Sequence, residues 1–186
     1  MDARNFIDFL GAIEKLKCNT RHSWTSSGRR ESVAEHSYRL AVMAMLSKDE
    51  YPELDIDKVI KMCLVHDFGE AITGDVPSFY KTDKNENEEN DAIIYLLSLL
   101  PDTTQKEFSD LFLEMSELKT PEAKLYKALD NAEAVISHNE ADISTWLPLE
   151  LELNLTYGEE NCQWSEWTKK LRNEIKKDTI KKIENS

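Results

Sequence analysis

Val59-Ile60-Lys61-Met62-Cys63-Leu64-Val65-His66-Asp67-Phe68-Gly69-Glu70-Ala71-Ile72-Thr73-Gly74-Asp75-Val76-Pro77 is the stretch from which the chain is best read. Val59, Ile60, Cys63 and Leu64 fall at helical spacing, with Asp55 or Asp57 available as a cap. The helix ends in an adjacent imidazole and carboxylate, His66-Asp67. Such a pair at the end of an apolar run is expensive to bury unless it is paired or bound to a metal. Two further ionisable residues stand inside apolar helical patterns elsewhere. His36 lies thirty residues upstream, on a face with Leu40 and Met43; Asp130 lies between Leu129 and Ala132. Two imidazoles and two carboxylates on separate segments can close around one divalent metal. Imidazole suits borderline first-row metals and carboxylate suits hard ones, so this mixed set points to a metal that keeps waters for hydrolysis rather than to a closed thiolate clasp.

Outward from these residues nearly every segment is predicted to be helical, and the fold class is all-α. Phe6, Phe9, Leu10, Ile13 and Leu16 form an amphipathic stripe. Lys17 to Arg30 loses periodicity and is expected to be a long loop, a length that in compact domains is often functional. Ser32-Val33-Ala34-Glu35 is a capping box that opens a helix over about 33–47, with His36 in its first turn. Phe68 to Ser78 contains Gly69, Gly74 and Pro77 and is predicted to be a turn-rich active-site loop. Lys81 to Asn90 is expected to be an exposed polar excursion, followed by an apolar helix from Ala92 to Leu100. Phe108, Leu111, Phe112 and Met115 mark another helix. Thr120-Pro121-Glu122 is a strong start signal for the helix that carries Asp130. Trp164, Trp167, Leu171 and Ile175 mark a final helix, over about 163–184, with a basic tail. No linker or internal repeat is visible, so residues 1–186 are expected to be one domain, its metal core over about 33–138.

The bulk numbers limit the function. The 186 residues include 40% hydrophobic side chains, five glycines and five prolines, a globular composition. No apolar run reaches the roughly 18 residues that a membrane span requires. Met1-Asp2-Ala3-Arg4-Asn5 does not read as a secretory signal. Three widely spaced cysteines, Cys18, Cys63 and Cys162, do not suggest a disulfide framework, and a reducing cytoplasm is the expected compartment. A net charge of −13 argues against a nucleic-acid polymer as partner. A small anionic substrate stays compatible with it if a metal and local cations offset the field.

The pattern His36 … His66-Asp67 … Asp130 resembles that of the HD-domain superfamily of metal-dependent phosphohydrolases. The run Glu31 to Ser37, with Glu35-His36-Ser37 at its end, and the run Leu64 to Pro77 look like the first and second motifs of its 5′-deoxynucleotidase branch. The similarity covers about residues 6–139. It implies a compact helical bundle of the HD-domain type. It also implies that His36, His66, Asp67 and Asp130 bind one divalent ion, Co²⁺, Mn²⁺ or Mg²⁺, the last handicapped by two nitrogen ligands. The metal would polarise the phosphoryl group and lower the pKa of bound water. Glu70 would be the general base or orient that water. Asp75, after the tight turn at Gly74, would contact the sugar and serve the leaving oxygen, with Val76, Pro77 and Ser78 lining the sugar pocket. Arg21 resembles the arginine that orients the phosphate, with Arg29 and Arg30 as nearby substitutes. The family's bacterial pattern has a tryptophan beside that arginine. Here the neighbour is His22, which could stack, donate to phosphate or face water, and the tryptophan is displaced to Trp24. Asn139, Glu140 and Trp146 are secondary pocket candidates.

No histidine lies between His66 and Asp130, which argues against the His-rich dinuclear branches. A weak second metal on Glu70 and Asp75 stays open. The leading expectation is therefore a phosphohydrolase acting on 5′-(deoxy)nucleoside monophosphates. The alternatives are the same chemistry on nucleoside di- or triphosphates or an alarmone, and a non-catalytic nucleotide-binding scaffold. A homodimer is expected, from the resemblance and from Trp164 and Trp167, whose apolar surface is expected to exceed what one small core covers.

Overall fold

A computed structural model describes residues 1–186. The first helix, α1 (Ala3–Ile13), is capped by Asp2 and leads through a short 3-10 turn into a hairpin of β1 (Thr20–Trp24) and β2 (Arg30–Ser32). Then follow α2 (Val33–Leu46), α3 (Ile56–Val65), the single-turn α4 (Glu70–Thr73), α5 (Asp83–Ser98), α6 (Asp102–Glu117), α7 (Pro121–Glu140), α8 (Glu150–Thr156) and α9 (Glu166–Glu184).

The longest helix, α7, is the spine. Thr120 caps it by accepting from the Ala123 N–H, and Pro121 occupies its first turn. It packs against α2, α3, α6 and α9, and its buried side chains include Leu125, Ala128, Leu129, Ala132 and Val135. The main core joins Leu125 and Leu129 to Leu40 of α2, Val59 and Met62 of α3 and Leu96 of α5, all completely buried. Burying side chains of this size stabilises by about 1.5–3 kcal/mol each. A smaller cluster, Ala132, Val135 and Ile175, seats α9 on α7. Polar ties reinforce that contact: Asn139 donates to the Ile175 carbonyl, and Thr179 donates to the Asn139 side chain.

Three expected boundaries need correction. The segment 17–30 is not a continuous loop but holds the β1–β2 hairpin, paired antiparallel with an irregular register between Thr20 and Trp24. Its strands are short and polar, so the alternation that marks a half-buried strand is missing from Thr-Arg-His-Ser-Trp. The segment 81–90 is not an excursion but the first turns of α5. Thr82 and Asn85 form a reciprocal capping box there. Its side chains are nearly all exposed or half-exposed, as expected, and for that reason carry no apolar period. The final helix begins slightly later than expected, with Ser165 as its cap.

The tryptophans proposed as surplus apolar surface are used within the chain. Trp164 stacks on Tyr51 with ring centroids 5.3 Å apart, and Trp167 meets the same ring edge-on at 5.8 Å. Exposed apolar side chains lie elsewhere, on α1 (Phe6, Ile7, Leu10) and at the end of α2 (Met45, Leu46). No helix is long and apolar enough to cross a membrane. The three cysteines are free, with Cys63 and Cys162 buried.

Gly69, between the His66-Asp67 dyad and α4, lets α5 approach closely. A Cβ there would lie 2.6 Å from Glu89 Cγ and 2.9 Å from the Glu89 backbone oxygen. Gly69→Ala is expected to destabilise the protein by about 1–3 kcal/mol, because the backbone of α5 must move. Gly11→Ala on exposed α1, where nothing lies within 4 Å, is expected to stabilise by up to about 1 kcal/mol through helix propensity. Urea unfolding midpoints of the two variants against the parent test the opposite signs.

Candidate active site

α2, α3 and α7 bring the four expected ligands to one point. The capping box at Ser32 and Glu35 is formed in both directions and fixes the first turn of α2, which places His36 inward. His66 ends α3, and Asp67 follows it. Asp130 comes from the middle of α7. His36 Nε2 lies 3.3 Å from His66 Nε2 and 3.2 Å from Asp130 Oδ1. His66 Nε2 lies 3.0 Å from Asp67 Oδ2 and 3.7 Å from Asp130 Oδ1.

The hydrogen bonds behind these atoms set what they can do. His66 Nδ1 is 2.9 Å from the Cys63 carbonyl, which can only accept, so Nδ1 carries the proton and Nε2 presents a lone pair. His36 Nδ1 is 2.5 Å from Glu133 Oε2 and is held the same way. Two imidazole lone pairs and two carboxylate oxygens therefore face one another. Metal–ligand bonds of about 2.0–2.2 Å put neighbouring ligand atoms roughly 3–3.5 Å apart; the contacts here are 3.0–3.7 Å, with His36, His66 and Asp67 the tightest group and Asp130 joined to it through the two imidazoles. The donor set fits a divalent cation, and the second oxygen of Asp130 is held by Lys127 Nζ at 2.7 Å.

The titration behaviour carries the same message. Burial and the nearby Arg21 oppose a proton on His36, but its bonds to Asp130 and Glu133 outweigh them and push it up to about 9. Burial would raise Asp130, yet Lys127, His36 and His66 hold its carboxyl well below the usual range. The cluster attracts positive charge.

The remaining expected residues line a cavity beside these donors. Glu70, on α4, is buried among them; its Oε2 has no hydrogen-bond partner. Burial first, then the charges of Asp67 and Asp75, push its carboxyl up to about 9. A divalent charge among the four donors opposes that repulsion. The acid grouped with Glu70 and Asp67 within 4.8 Å is Glu89 of α5, which pairs with Lys81. Gly74, at φ 75°, turns the chain so that Asp75, Val76, Pro77 and Ser78 join the wall. Arg21, on β1, contacts Asp67 at 3.5 Å and Glu31 at 3.7 Å. These are longer than well-formed charge-assisted bonds of about 2.7–2.9 Å, and Arg21 Nε has no hydrogen-bond partner. The guanidinium is held in the cavity with donors to spare.

The substitutes lie elsewhere. Arg29 pairs with Glu35 on the surface, and Arg30 covers the Trp24 ring at 5.0 Å. The irregular register of β1 lets the consecutive residues Arg21, His22 and Ser23 all reach the cavity wall. His22 sits 3.3 Å from Glu150 Oε1. Asn139 ties α7 to α9, Glu140 pairs with Arg39, and Trp146 packs edge-on against His138; none of the three lines the cavity. Residues not foreseen are Lys127, Glu133, His138 and Glu150. Glu133 carried a readable signal, a carboxylate one turn past Asp130 between alanines. Lys127, Asp130, Ala134 and His138 follow the helical period along one face of α7.

Comparison with known proteins agrees with this geometry. A family model described as HD domain matches residues 13–172. Over 142 residues the chain is 37% identical to the 5′-deoxynucleotidase HDDC2 of Bos taurus, covering 74% of this chain and 68% of that protein. It is 39% identical to the 5′-deoxynucleotidase HDDC2 of Dictyostelium discoideum, again over 142 residues, covering 71% and 75%. A crystal structure described as a "predicted metal-dependent phosphohydrolase" from Magnetospirillum magnetotacticum superposes with a TM-score of 0.80 at 28% identity, covering 96% of this chain and 93% of that one. The chain belongs to the HD-domain family.

Proposed function

We propose that the protein is a metal-dependent phosphohydrolase that releases phosphate from 5′-deoxynucleoside monophosphates. The observation that carries this reading is the convergence of His36, His66, Asp67 and Asp130 beside an incompletely bonded Arg21 in one cavity. The substrate class is supported by the names of the relatives.

A divalent cation held by those four residues supplies Lewis-acid polarisation of a phosphoryl oxygen and activation of water. In this reading the guanidinium of Arg21 holds the other phosphoryl oxygens and sets the phosphorus in line for attack. Glu70 orients the attacking water and accepts its proton. As the water oxygen bonds to phosphorus, the bond from phosphorus to the 5′ oxygen breaks; that oxygen takes up a proton at the side of Asp75, which holds the sugar, and the nucleoside leaves. Glu133 keeps His36 in the tautomer that offers Nε2 to the cation. The cation is proposed to be Co²⁺, Mn²⁺ or Mg²⁺. The compartment is proposed to be the cytoplasm, supported by three free cysteines. Assembly as a homodimer is also proposed, supported by the exposed apolar side chains of α1.

Phosphate release from a panel of nucleoside mono-, di- and triphosphates with each cation tests the activity. Release is expected from deoxynucleoside monophosphates, and a cation-loaded protein that releases none from any member overturns the reading. Glu70→Gln is expected to lower kcat by about 10²–10⁴-fold with unchanged cation content; unchanged turnover removes Glu70 from its role. Arg21→Ala is expected to lower kcat/KM by roughly 10–100-fold through lost charge-assisted bonds. Steady-state kinetics on the monophosphate checks it.

A further inference from the structure

A second cluster of donors stands on the wall of the same cavity and shares no residue with the quartet. Glu150, at the start of α8, is 1% exposed. Its Oε2 accepts the Leu147 N–H at 2.6 Å. Its Oε1 lies 3.3 Å from His22 Nε2 and 3.1 Å from His138 Nε2 without a well-directed hydrogen bond, while His22 Nε2 makes a long contact of 3.4 Å with Oε2. These two histidines are its only ion-pair partners; no lysine or arginine comes within reach. A carboxylate buried this deeply requires a compensating positive charge.

The orientation of His138 sharpens the point. Its Nδ1 lies 3.0 Å from the Ala134 carbonyl one turn earlier in α7, which accepts only, so Nδ1 carries the proton. A neutral ring would turn a lone pair toward a carboxylate oxygen at 3.1 Å. Two acceptors so close require a proton or a metal cation between them. The Nε2 atoms of His22 and His138 and a carboxylate oxygen of Glu150 all lie within 4.8 Å of one another. The contacts with Glu150, 3.1 and 3.3 Å, match the 3.0–3.7 Å spacing within the quartet. Aromatic rings brace both imidazoles: Trp146 meets His138 edge-on at 6.0 Å and Phe79 meets His22 edge-on at 5.9 Å.

We propose that His22, His138 and Glu150 form a second cation site, which takes one borderline divalent ion such as Zn²⁺ or Co²⁺ and leaves a coordination position toward the cavity. Two nitrogens and one carboxylate suit these ions and disfavour Mg²⁺. The alternative is a proton on His138 Nε2, an imidazolium paired with Glu150.

The test is cation stoichiometry, which does not depend on turnover. Full-length protein is stripped with a chelator, equilibrated with Zn²⁺ or Co²⁺, desalted and assayed for metal per chain. The parent is expected to retain about two equivalents. The double variant Asp67→Asn, Asp130→Asn is expected to retain one, with the visible absorption of Co²⁺ still present. His138→Gln is expected to retain one, and His22→Gln, on the β1 strand rather than the spine helix, gives the same readout should the first variant fold poorly. One equivalent in the parent and none in the double variant overturns the proposal in favour of the imidazolium pair, and so does a parent stoichiometry unchanged by both histidine variants.

Discussion

Lone pairs that point at one another need positive charge between them, and the interior of this protein is organised around that requirement. His36 and His66 could each escape by turning a protonated nitrogen inward. Glu133 and the Cys63 carbonyl hold the proton on the other nitrogen of each ring, so only a second proton or a cation can fill the space at Nε2. Holding the rings this way requires α2, α3 and α7 to sit at fixed depth and rotation. The apolar core does that work: Leu40, Met62, Leu125 and Leu129 are buried within one or two turns of the ligands on the same helices. The energy of packing is thus spent partly on keeping like-natured atoms together, an arrangement that stays stable only when a proton or a cation joins them.

The spine helix α7 shows how one element serves both purposes. Its buried residues face the core, and the strip through Lys127, Asp130, Ala134 and His138 faces the cavity. Charge along that strip alternates in function. Lys127 holds one oxygen of Asp130 and leaves the other free. One turn on, Glu133 turns away to the back of His36 and is itself bound by Ser137 at 2.8 Å. A chain with a net charge of −13 nevertheless places two half-buried cations, Arg21 and Lys127, on the wall of this cavity. They offset locally the field of the surrounding acids.

Much of this was legible in the sequence because it rests on strong local signals. The capping box at Ser32 and Glu35, the start at Thr120-Pro121 and the apolar run before His66 each have a single physical reading, and each marks a helix that carries one of the clustered donors. The hairpin was hidden because its strands are polar and half-exposed, and the first turns of α5 were hidden because an exposed helix needs no apolar period. The wall built by Glu150 was hidden for a different reason. His22, His138 and Glu150 are separated by 128 residues from first to last, and each taken alone looks like a polar surface side chain. Only the way α8 folds back toward α7 and β1 makes them neighbours. Trp164 and Trp167 misled in the opposite sense: their size suggested an interface, while Tyr51 already accounts for them.

Cys63 lies three residues before His66 and lends that histidine its backbone carbonyl while its own side chain is wholly buried. Burial, reinforced by the charge of Asp130, pushes the thiol far up. The softest potential donor in the neighbourhood is thus kept protonated and out of contact with solvent. It offers no thiolate to thiophilic ions such as monovalent copper, and no nucleophile to peroxide. A cation held by the neighbouring quartet would therefore meet nitrogen and oxygen donors only.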